Sequence, residues 1–212
     1  MLAMKSPERP SRGFTLIELI VVMAIIVVLA LVAVPSFVTF QRNSQMTSVA
    51  NALLASINTA RGEAMKRNQT AFVVPNTSTN WASGWKVFVS RPGFSASSNT
   101  YTGTISGASA TYTDGQDLLL QTVPAQEGYI NISTNDGSGT ALGLIRIDGS
   151  GYSKTADNSG FQSMTLRIQR NDVGSTLQPN QTRILVLART GRARVCTPVS
   201  ASDSNCSVTS SQ

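Results

Sequence analysis

The first 34 residues carry the clearest hydrophobic pattern in the chain. A basic segment precedes an almost unbroken apolar run from Phe14 to Val34, in which only Thr15 and Glu18 interrupt the Leu, Ile, Val, Ala and Met residues. As an α-helix this run reaches roughly 31 Å, enough to cross a bilayer. The pattern predicts a membrane-spanning helix. Glu18 needs an explanation, because a carboxylate in such a segment is costly and usually has a partner and a function.

Beyond this run the apolar residues recur every three or four positions, which is the spacing of one face of an α-helix. The residues of this apolar stripe are Met46, Val49, Leu53, Ile57, Ala60 and Ala64. The pattern predicts one long helix from about Phe14 to Arg67, bent near Pro35. Its second half is expected to lay the stripe on a globular domain.

After Asn68 the pattern changes to short β-rich runs separated by turn residues. The expected strands are Thr70–Val74, Trp85–Ser90, Leu118–Val123, Tyr129–Ser133, Leu142–Ile147, Met164–Gln169, Arg183–Ala188 and Arg192–Cys196, with a weaker one at Thr100–Ile105. A long helix followed by about eight strands predicts an α+β fold.

Two glycine-rich acidic tetrads lie on either side of one expected strand. They are Asp136-Gly137-Ser138-Gly139 and Asp148-Gly149-Ser150-Gly151. Calcium ligation is one interpretation, but each tetrad lacks the dense alternating carboxylates of a calcium loop. Tight hairpin turns are the interpretation that the composition favours.

The N-terminal residues Arg12-Gly13-Phe14-Thr15-Leu16-Ile17-Glu18, followed by the apolar run, resemble the class III signal of type IV pilins and type II secretion pseudopilins. The resemblance implies that a prepilin peptidase cuts between Gly13 and Phe14 and methylates the new Phe14 amine. It also implies that Glu18 guides the subunit into a helical filament, where the Phe14 amine of a neighbouring subunit is its expected contact.

This N-terminus has two simpler interpretations. An ordinary secretory signal has a shorter apolar core and ends at a small-residue cleavage site, which this run lacks. A single-pass anchor explains the length and the basic flank of Lys5, Arg9 and Arg12, but leaves Glu18 unexplained.

The resemblance extends over the rest of the chain. Gly84-Trp85-Lys86-Val87-Phe88 and the closing Arg183-Ile184-Leu185-Val186…Gly191-Arg192-Ala193-Arg194 are similar to the GspH/FimT branch of minor pilins and pseudopilins. This implies a type IV pilin-like fold with two antiparallel sheets. The implied organisation is a cleaved leader at 1–13, a membrane or filament-core helix at 14–35, an amphipathic helix at 36–68 and a β-rich domain at 69–212.

Composition fits a domain outside the cytoplasm. Only 13% of the 212 residues are charged, and the formal net charge of +6 falls to +4 once the leader, with three basic residues and Glu8, is removed. Such a balance permits anionic partners without proving them. Cys196 and Cys206 lie near the C-terminus, and an extracytoplasmic setting favours a disulfide between them.

Enzymatic chemistry has little support. The chain has no His, the commonest general base and metal ligand, and no phosphate loop or Gly-x-Ser-x-Gly motif. Asp114 and Asp117 are close in sequence but are interpreted as solvated turn residues. We therefore expect neither catalysis, nor a metal, nor a cofactor.

Four arginines cluster near the end of the chain: Arg183, Arg189, Arg192 and Arg194. In an extended segment Arg192 and Arg194 lie on the same side, roughly 6.6 Å apart. This is near the spacing of successive phosphates along one nucleic-acid strand, and Gly191 lets the backbone turn beside them. Lys154, Arg167 and Arg170 are further candidates for the same patch, but the sequence does not place them.

Two hypotheses follow. In FimT-like minor pilins, Gly-Arg-x-Arg beside a disulfide-tethered C-terminal region is associated with DNA binding in natural transformation, and Gly191-Arg192-Ala193-Arg194 with Cys196 and Cys206 resembles that arrangement. No aromatic residue interleaves with the arginines, so sequence-independent binding of duplex DNA through phosphates is the expected mode. Alternatively, the chain is a structural minor pilin or GspH-like pseudopilin that primes filament assembly without binding DNA.

Both hypotheses imply the same partners and location. The partners are other major and minor pilins, the prepilin peptidase and, before assembly, the inner membrane. The subunit is expected to be a single-pass inner-membrane protein that then enters an extracellular pilus or a periplasm-spanning filament.

Overall fold

The computed structural model describes residues 13–90, 111–115, 117–138, 141–174, 181–200 and 203–207. Its internal contacts divide the chain into two units, Met1–Arg42 and Asn43–Gln212. The expected weak strand at Thr100–Ile105 lies outside the described residues.

One helix, α1, spans Leu16–Arg67. Thr15 caps its N-terminus, because its Oγ1 accepts a hydrogen bond from the Glu18 amide at 3.3 Å. The helix ends before Asn68, whose φ of +51° belongs to the left-handed region. The predicted long helix is confirmed.

The part of α1 in the first unit is apolar on every side. One helix among the described residues is long and apolar enough to cross a membrane, by length and composition, and none of its apolar window is buried within the chain. Leu16, Leu31 and Val32 are among its most exposed apolar side chains. Exposed apolar surface of this extent is typical of a segment that contacts a membrane or another protein.

The part of α1 in the second unit is amphipathic. The predicted stripe is buried along its whole length, from Met46 through Leu53 and Ile57 to Ala64. It packs into one hydrophobic core together with residues of both sheets. The stripe prediction is confirmed, and this burial joins the helix to the β-rich part of the chain.

Nine strands are found among the described residues, all in antiparallel pairs. They are β1 (Ala71–Thr77), β2 (Asn80–Ser90), β3 (Asp117–Val123), β4 (Ile130–Asn135), β5 (Ile145–Ile147), β6 (Ser153–Lys154), β7 (Met164–Arg170), β8 (Thr182–Leu187) and β9 (Ala193–Cys196). The first sheet has the order β3-β2-β1-β5-β6 and the second the order β4-β7-β8-β9. The predicted α+β fold with two antiparallel sheets is confirmed.

The two faces of the second sheet differ in their cover. Alternate residues such as Leu166, Ile168 and Leu185 point into the core shared with α1. We call the opposite side the outer face; on it lie Thr165, Arg167, Ile184, Val186 and Arg194, in the register given by β7, β8 and β9. This face carries the C-terminal segment of the chain.

The two acidic tetrads have different outcomes. Residues 148–151 join β5 to β6, with the Gly151 amide donating to the Asp148 carbonyl at 2.9 Å, so the predicted hairpin turn is confirmed there. Residues 136–138 follow β4, and β4 and β5 belong to different sheets, so a hairpin at this place is wrong. The local turn chemistry is the same, since the Asp136 carboxylate accepts the Ser138 amide, but the strand pairing is not local.

Asp117 and strand β6 differ from the predictions. Asp117 is not a solvated turn residue: it begins β3, is only 6% exposed, and its carboxylate accepts the Thr113 amide at 2.9 Å. Strand β6 was not predicted, because two residues carry no periodic signal of their own and this strand is defined by its pairing with β5.

Candidate functional site

The sequence Gly191-Arg192-Ala193-Arg194 lies at the tip of the hairpin formed by β8 and β9. The Gly191 amide donates to the Ala188 carbonyl, and the Ala188 amide donates to the Arg192 carbonyl, both at 2.9 Å. These bonds close a tight loop, and Arg194 follows within the edge strand β9. Of the segment predicted to be extended, Arg192–Cys196, residues Ala193–Cys196 form the strand.

Gly191 is required by both conformation and packing. Its φ is +74°, and a Cβ placed there would lie 2.0 Å from the Gly151 carbonyl oxygen. Glycine is the one residue that fits such a position without strain. The loop that carries the arginines thus rests directly on the turn between β5 and β6.

Arg61 of α1 also takes part in the contact between Gly191 and Gly151. Its Nε donates to the Gly151 carbonyl at 3.1 Å, and it lies 3.2 Å from the Cβ position of Gly191. Helix, first-sheet turn and second-sheet hairpin therefore meet at one point. A tertiary junction of this kind holds the hairpin tip in a fixed position.

The arginines differ in exposure. Arg189 and Arg192 are exposed, and neither makes an ion pair with another described residue. Arg194 is half-buried, and its Nη2 donates to the Asn205 carbonyl. In the ladder Arg194 pairs with Val186, which puts it on the outer face.

A disulfide fixes the C-terminal segment beside these arginines. Cys196 pairs with Cys206 across a Cα–Cα distance of 5.9 Å, and Cys206 packs with Ile184 and Val186. A short 3-10 helix, Ser204–Cys206, is capped by Asp203, whose carboxylate accepts the Asn205 amide. The segment thereby covers the apolar centre of the outer face.

The Asp203 carboxylate serves this segment structurally. The amides of Val199 and Asn205 both donate to it, at 2.9 Å each. These hydrogen bonds, that from Val199 first, lower the pKa of Asp203 below its ordinary value of 3.8. The carboxylate is therefore ionised at neutral pH, and its hydrogen bonds lie within its own loop.

Arg183 lies apart from the other three arginines. It alternates with Ile184 and so shares the inner face with Leu185 and Leu187, at the end of β8 remote from the hairpin tip. Its Nη1 donates to the Thr182 carbonyl at 2.8 Å. The structure does not bring it together with Arg192.

The three additional basic candidates, Lys154, Arg167 and Arg170, lie in different places in the fold. Arg170 is buried and forms a two-bond pair with Asp172, which raises the pKa of its guanidinium through the hydrogen bonds. Lys154 lies on β6, 3.6 Å from the Asp148 carboxylate. Arg167 alone shares the outer face with Arg194, in a pocket that Thr165, Ser204 and Cys206 also line. Strand register decides which of these basic residues shares a face with Arg194, and their spacing in the sequence does not reveal it.

The N-terminal residues form a separate site. Phe14 is exposed, and the Glu18 side chain is exposed in the first turn of α1. The N-terminus of a helix carries a partial positive charge, so a carboxylate is favourable there. Since only the Glu18 amide is used by the Thr15 cap, the carboxylate is presented outward.

The described residues contain no group of three His, Cys, Asp or Glu side chains arranged to hold a metal ion. The Asp148 carboxylate accepts the amides of Ser150 and Tyr152, as expected for a turn residue.

Two family models match this chain, one over the N-terminal segment and one over most of the remainder. A family model described as "Prokaryotic N-terminal methylation motif" matches residues 9–34, and one described as "Type II transport protein GspH" matches residues 49–191. An apolar N-terminal helix with a methylation motif, followed by a two-sheet domain, defines a minor pilin or pseudopilin. The GspH match covers more than half of the chain, so this chain belongs to the GspH family.

Among solved structures, the chain is similar to the type IV minor pilin FimU of Pseudomonas aeruginosa, at 15% identity and a TM-score of 0.49 over 76% of this chain and 98% of FimU. It is also similar to the minor pseudopilin EpsH from the type 2 secretion system of Vibrio cholerae, at 11% identity and a TM-score of 0.46 over 73% of this chain and 98% of EpsH. No curated protein matches it.

Proposed function

We propose that this chain is a FimT-like minor pilin that binds duplex DNA without sequence preference, for uptake in natural transformation. Arg192 and Arg194 are the residues that hold the phosphates, and Arg189 adds to the patch. The observation that carries the proposal is the position of the exposed Arg189 and Arg192 at the tip of a hairpin, with no carboxylate paired to either among the described residues.

The proposal needs arginines that reach successive phosphates. Arg192 immediately precedes β9 and Arg194 lies within it. The proposed clamp places the two residues on one side, at the roughly 6.6 Å spacing of alternate residues in an extended segment. Each phosphate neutralised by an arginine releases condensed counterions, which drives binding of any sequence. Arg183 has no part in the proposed clamp, because it shares the inner face of the sheet.

A fixed scaffold supports the proposal further. The hairpin tip rests on Gly151 and Arg61, and the disulfide ties Cys206 to the strand that carries Arg194. Side chains held on a rigid frame lose less conformational entropy when they bind.

At the other end of the chain we propose cleavage between Gly13 and Phe14 and methylation of the new Phe14 amine. The Glu18 carboxylate then contacts the Phe14 amine of a neighbouring subunit. Its exposure at the helix N-terminus supports this role. The subunit resides in the inner membrane before assembly, and retraction of the filament draws bound DNA toward the cell.

A second candidate function is filament priming without DNA binding. One observation favours it: the match to the GspH family ends at residue 191, so family membership says nothing about Arg192, Arg194 or the disulfide. Deletion of the gene separates the two. A priming subunit is needed for pili or secretion, whereas a dedicated DNA receptor leaves filaments intact and its loss removes only transformation.

The direct test is DNA binding by the second unit, Asn43–Gln212, which contains the whole hydrophobic core. Mobility shifts with a duplex of arbitrary sequence are expected for the unaltered protein and are expected to weaken for Arg192→Ala/Arg194→Ala. Unchanged DNA binding by this variant would contradict the proposal that Arg192 and Arg194 hold the phosphates.

A further inference from the structure

An exposed pair of aromatic rings lies beside β6, at the edge of the first sheet. Tyr152 is 43% exposed and Phe161 is 52% exposed, with ring centroids 5.4 Å apart and planes inclined by 59°. Within the second unit no other described aromatic side chain is so exposed. Neither ring contributes to the hydrophobic core, so both are available to a partner.

The fold of β6 produces this pair. Ser153 is fully buried, so its neighbours Tyr152 and Lys154 point outward on the alternate positions of the strand. The Gln162 amide donates to the Ser153 carbonyl at 3.0 Å, and an isolated bridge joins Lys154 to Phe161. Lys154 Nζ consequently lies 3.9 Å from the centroid of the Phe161 ring.

The aromatic pair adjoins the arginine hairpin. The Ser153 amide donates to the Arg189 carbonyl at 2.9 Å, which puts the two backbones about one strand spacing, roughly 5 Å, apart. The turn immediately before Tyr152 is the one that packs on Gly191. In the sequence no aromatic residue interleaves with the arginines; in the structure the residue next to Tyr152, Ser153, is hydrogen-bonded to the backbone of Arg189.

The charges around the rings suit a nucleic acid. Arg189 and Arg192 belong to the adjoining hairpin, where both are exposed, and Lys154 lies over the Phe161 ring. Two carboxylates are nearby in the chain, and both have partners: Asp148 is paired with Lys154, and Asp157 accepts hydrogen bonds from Thr155 and Ser159. Rings beside cations are the usual arrangement for stacking bases while holding the backbone.

We infer that Tyr152 and Phe161 form a base-stacking platform beside Arg189 and Arg192, so that this surface binds single-stranded DNA through its bases as well as its phosphates. The inference rests on the proposed function and adds a ligand class to it. A paired duplex hides its base faces, whereas single strands and frayed ends offer them to the rings.

The test compares ligands and variants by fluorescence anisotropy, using the full chain in detergent. The ligands are a mixed-sequence single strand, an abasic strand of the same length, and a duplex. Stacking on the rings predicts that Tyr152→Ala/Phe161→Ala binds the single strand roughly 5- to 100-fold more weakly than the unaltered protein. Duplex affinity is expected to change less than about twofold. The abasic strand keeps its phosphates and is expected to bind both proteins equally.

A second variant guards against misfolding. Tyr152→Leu/Phe161→Leu keeps apolar bulk but removes the rings, and is expected to lose single-strand affinity while its melting temperature is retained. Equal single-strand binding by the unaltered and Leu proteins overturns the platform, even if Arg192→Ala/Arg194→Ala abolishes duplex binding and so upholds the clamp. Loss of pili in the Leu variant with unchanged DNA binding identifies the rings as a subunit contact and also overturns the platform. If the unaltered protein binds neither strand nor duplex, the proposed function itself fails.

Discussion

Arg61 Nε donates to the carbonyl oxygen of Gly151 at 3.1 Å, and the backbone of Gly191 rests against that same oxygen. Through this junction the amphipathic helix positions the loop that carries Arg189 and Arg192. The candidate site is thus set by tertiary packing that no short motif contains.

Gly191→Ala tests the junction. A Cβ at this position meets the Gly151 oxygen at 2.0 Å and imposes a positive φ on a non-glycine residue, so we expect a loss of about 2 kcal/mol or more in the free energy of unfolding. Denaturant unfolding measures it. Gly160→Ala is the matched control, because its Cβ meets nothing closer than 3.8 Å. Equal stability of the two variants would contradict the account of the junction.

Ser56→Ala tests a polar contact inside the core. Trp85 Nε1 donates to Ser56 Oγ at 2.9 Å, and Ser56 Oγ donates to Gln121 Oε1 at 3.1 Å. Removing the hydroxyl leaves a buried indole N–H without its acceptor, which costs about 1–3 kcal/mol. Thermal unfolding measures this loss. Ser48→Ala, exposed on the same helix, is expected to have no such effect, and an equal loss there would argue against the contact.

Glu18→Gln separates the charge of Glu18 from its place in the helix. The Thr15 cap uses the Glu18 amide, so the substitution retains the helix start while removing the charge. We expect the variant to be inserted and cleaved but absent from sheared filaments, as judged by immunoblotting. Thr15→Ala, which removes the cap at a cost of about 1 kcal/mol, is expected to assemble. Normal assembly of Glu18→Gln would refute the proposed Phe14 contact.

We expect Asp203 to make the C-terminal segment sensitive to acid. Its folded pKa lies below the ordinary value of 3.8 because the amides of Val199 and Asn205 donate to the carboxylate. Its stabilising contribution is present above pH 3.8 and is lost as the pH falls through the folded pKa. Hydrogen exchange at the Val199 and Asn205 amides is expected to be constant from pH 7 to 5, after correction for intrinsic rates, and to accelerate below 3.8. Asp203→Asn is expected to show weaker protection throughout; a pH profile identical to that of the unaltered protein would contradict this role.

Local pattern predicted the elements well and their pairing less well. The stripe from Met46 to Ala64 and most strands follow from periodicity, because burial of one face selects residues every three or four positions, or every two. The sequence did not predict strand β6, nor that β4 and β5 belong to different sheets, because pairing with other strands decides both.

The same limit applies to the candidate site. Gly191, Arg192 and Arg194 stand out as a motif, but register alone separates Arg183 from them and puts Arg167 on their side of the sheet. The approach of Tyr152 to the hairpin depends on a backbone bond between residues 36 positions apart, Ser153 and Arg189. No pattern in the sequence encodes such a contact.

The salt dependence of duplex binding by Asn43–Gln212 tests the central claim most directly. We expect the slope of log K against log[salt] for Arg192→Ala/Arg194→Ala to be shallower by up to about two than for the unaltered protein, since each phosphate contact contributes about 0.9. The control Arg183→Ala/Lys86→Ala also removes two positive charges, but on the inner face and on the first sheet, and is expected to keep most of the slope. Equal slopes for the two double variants would contradict the phosphate clamp.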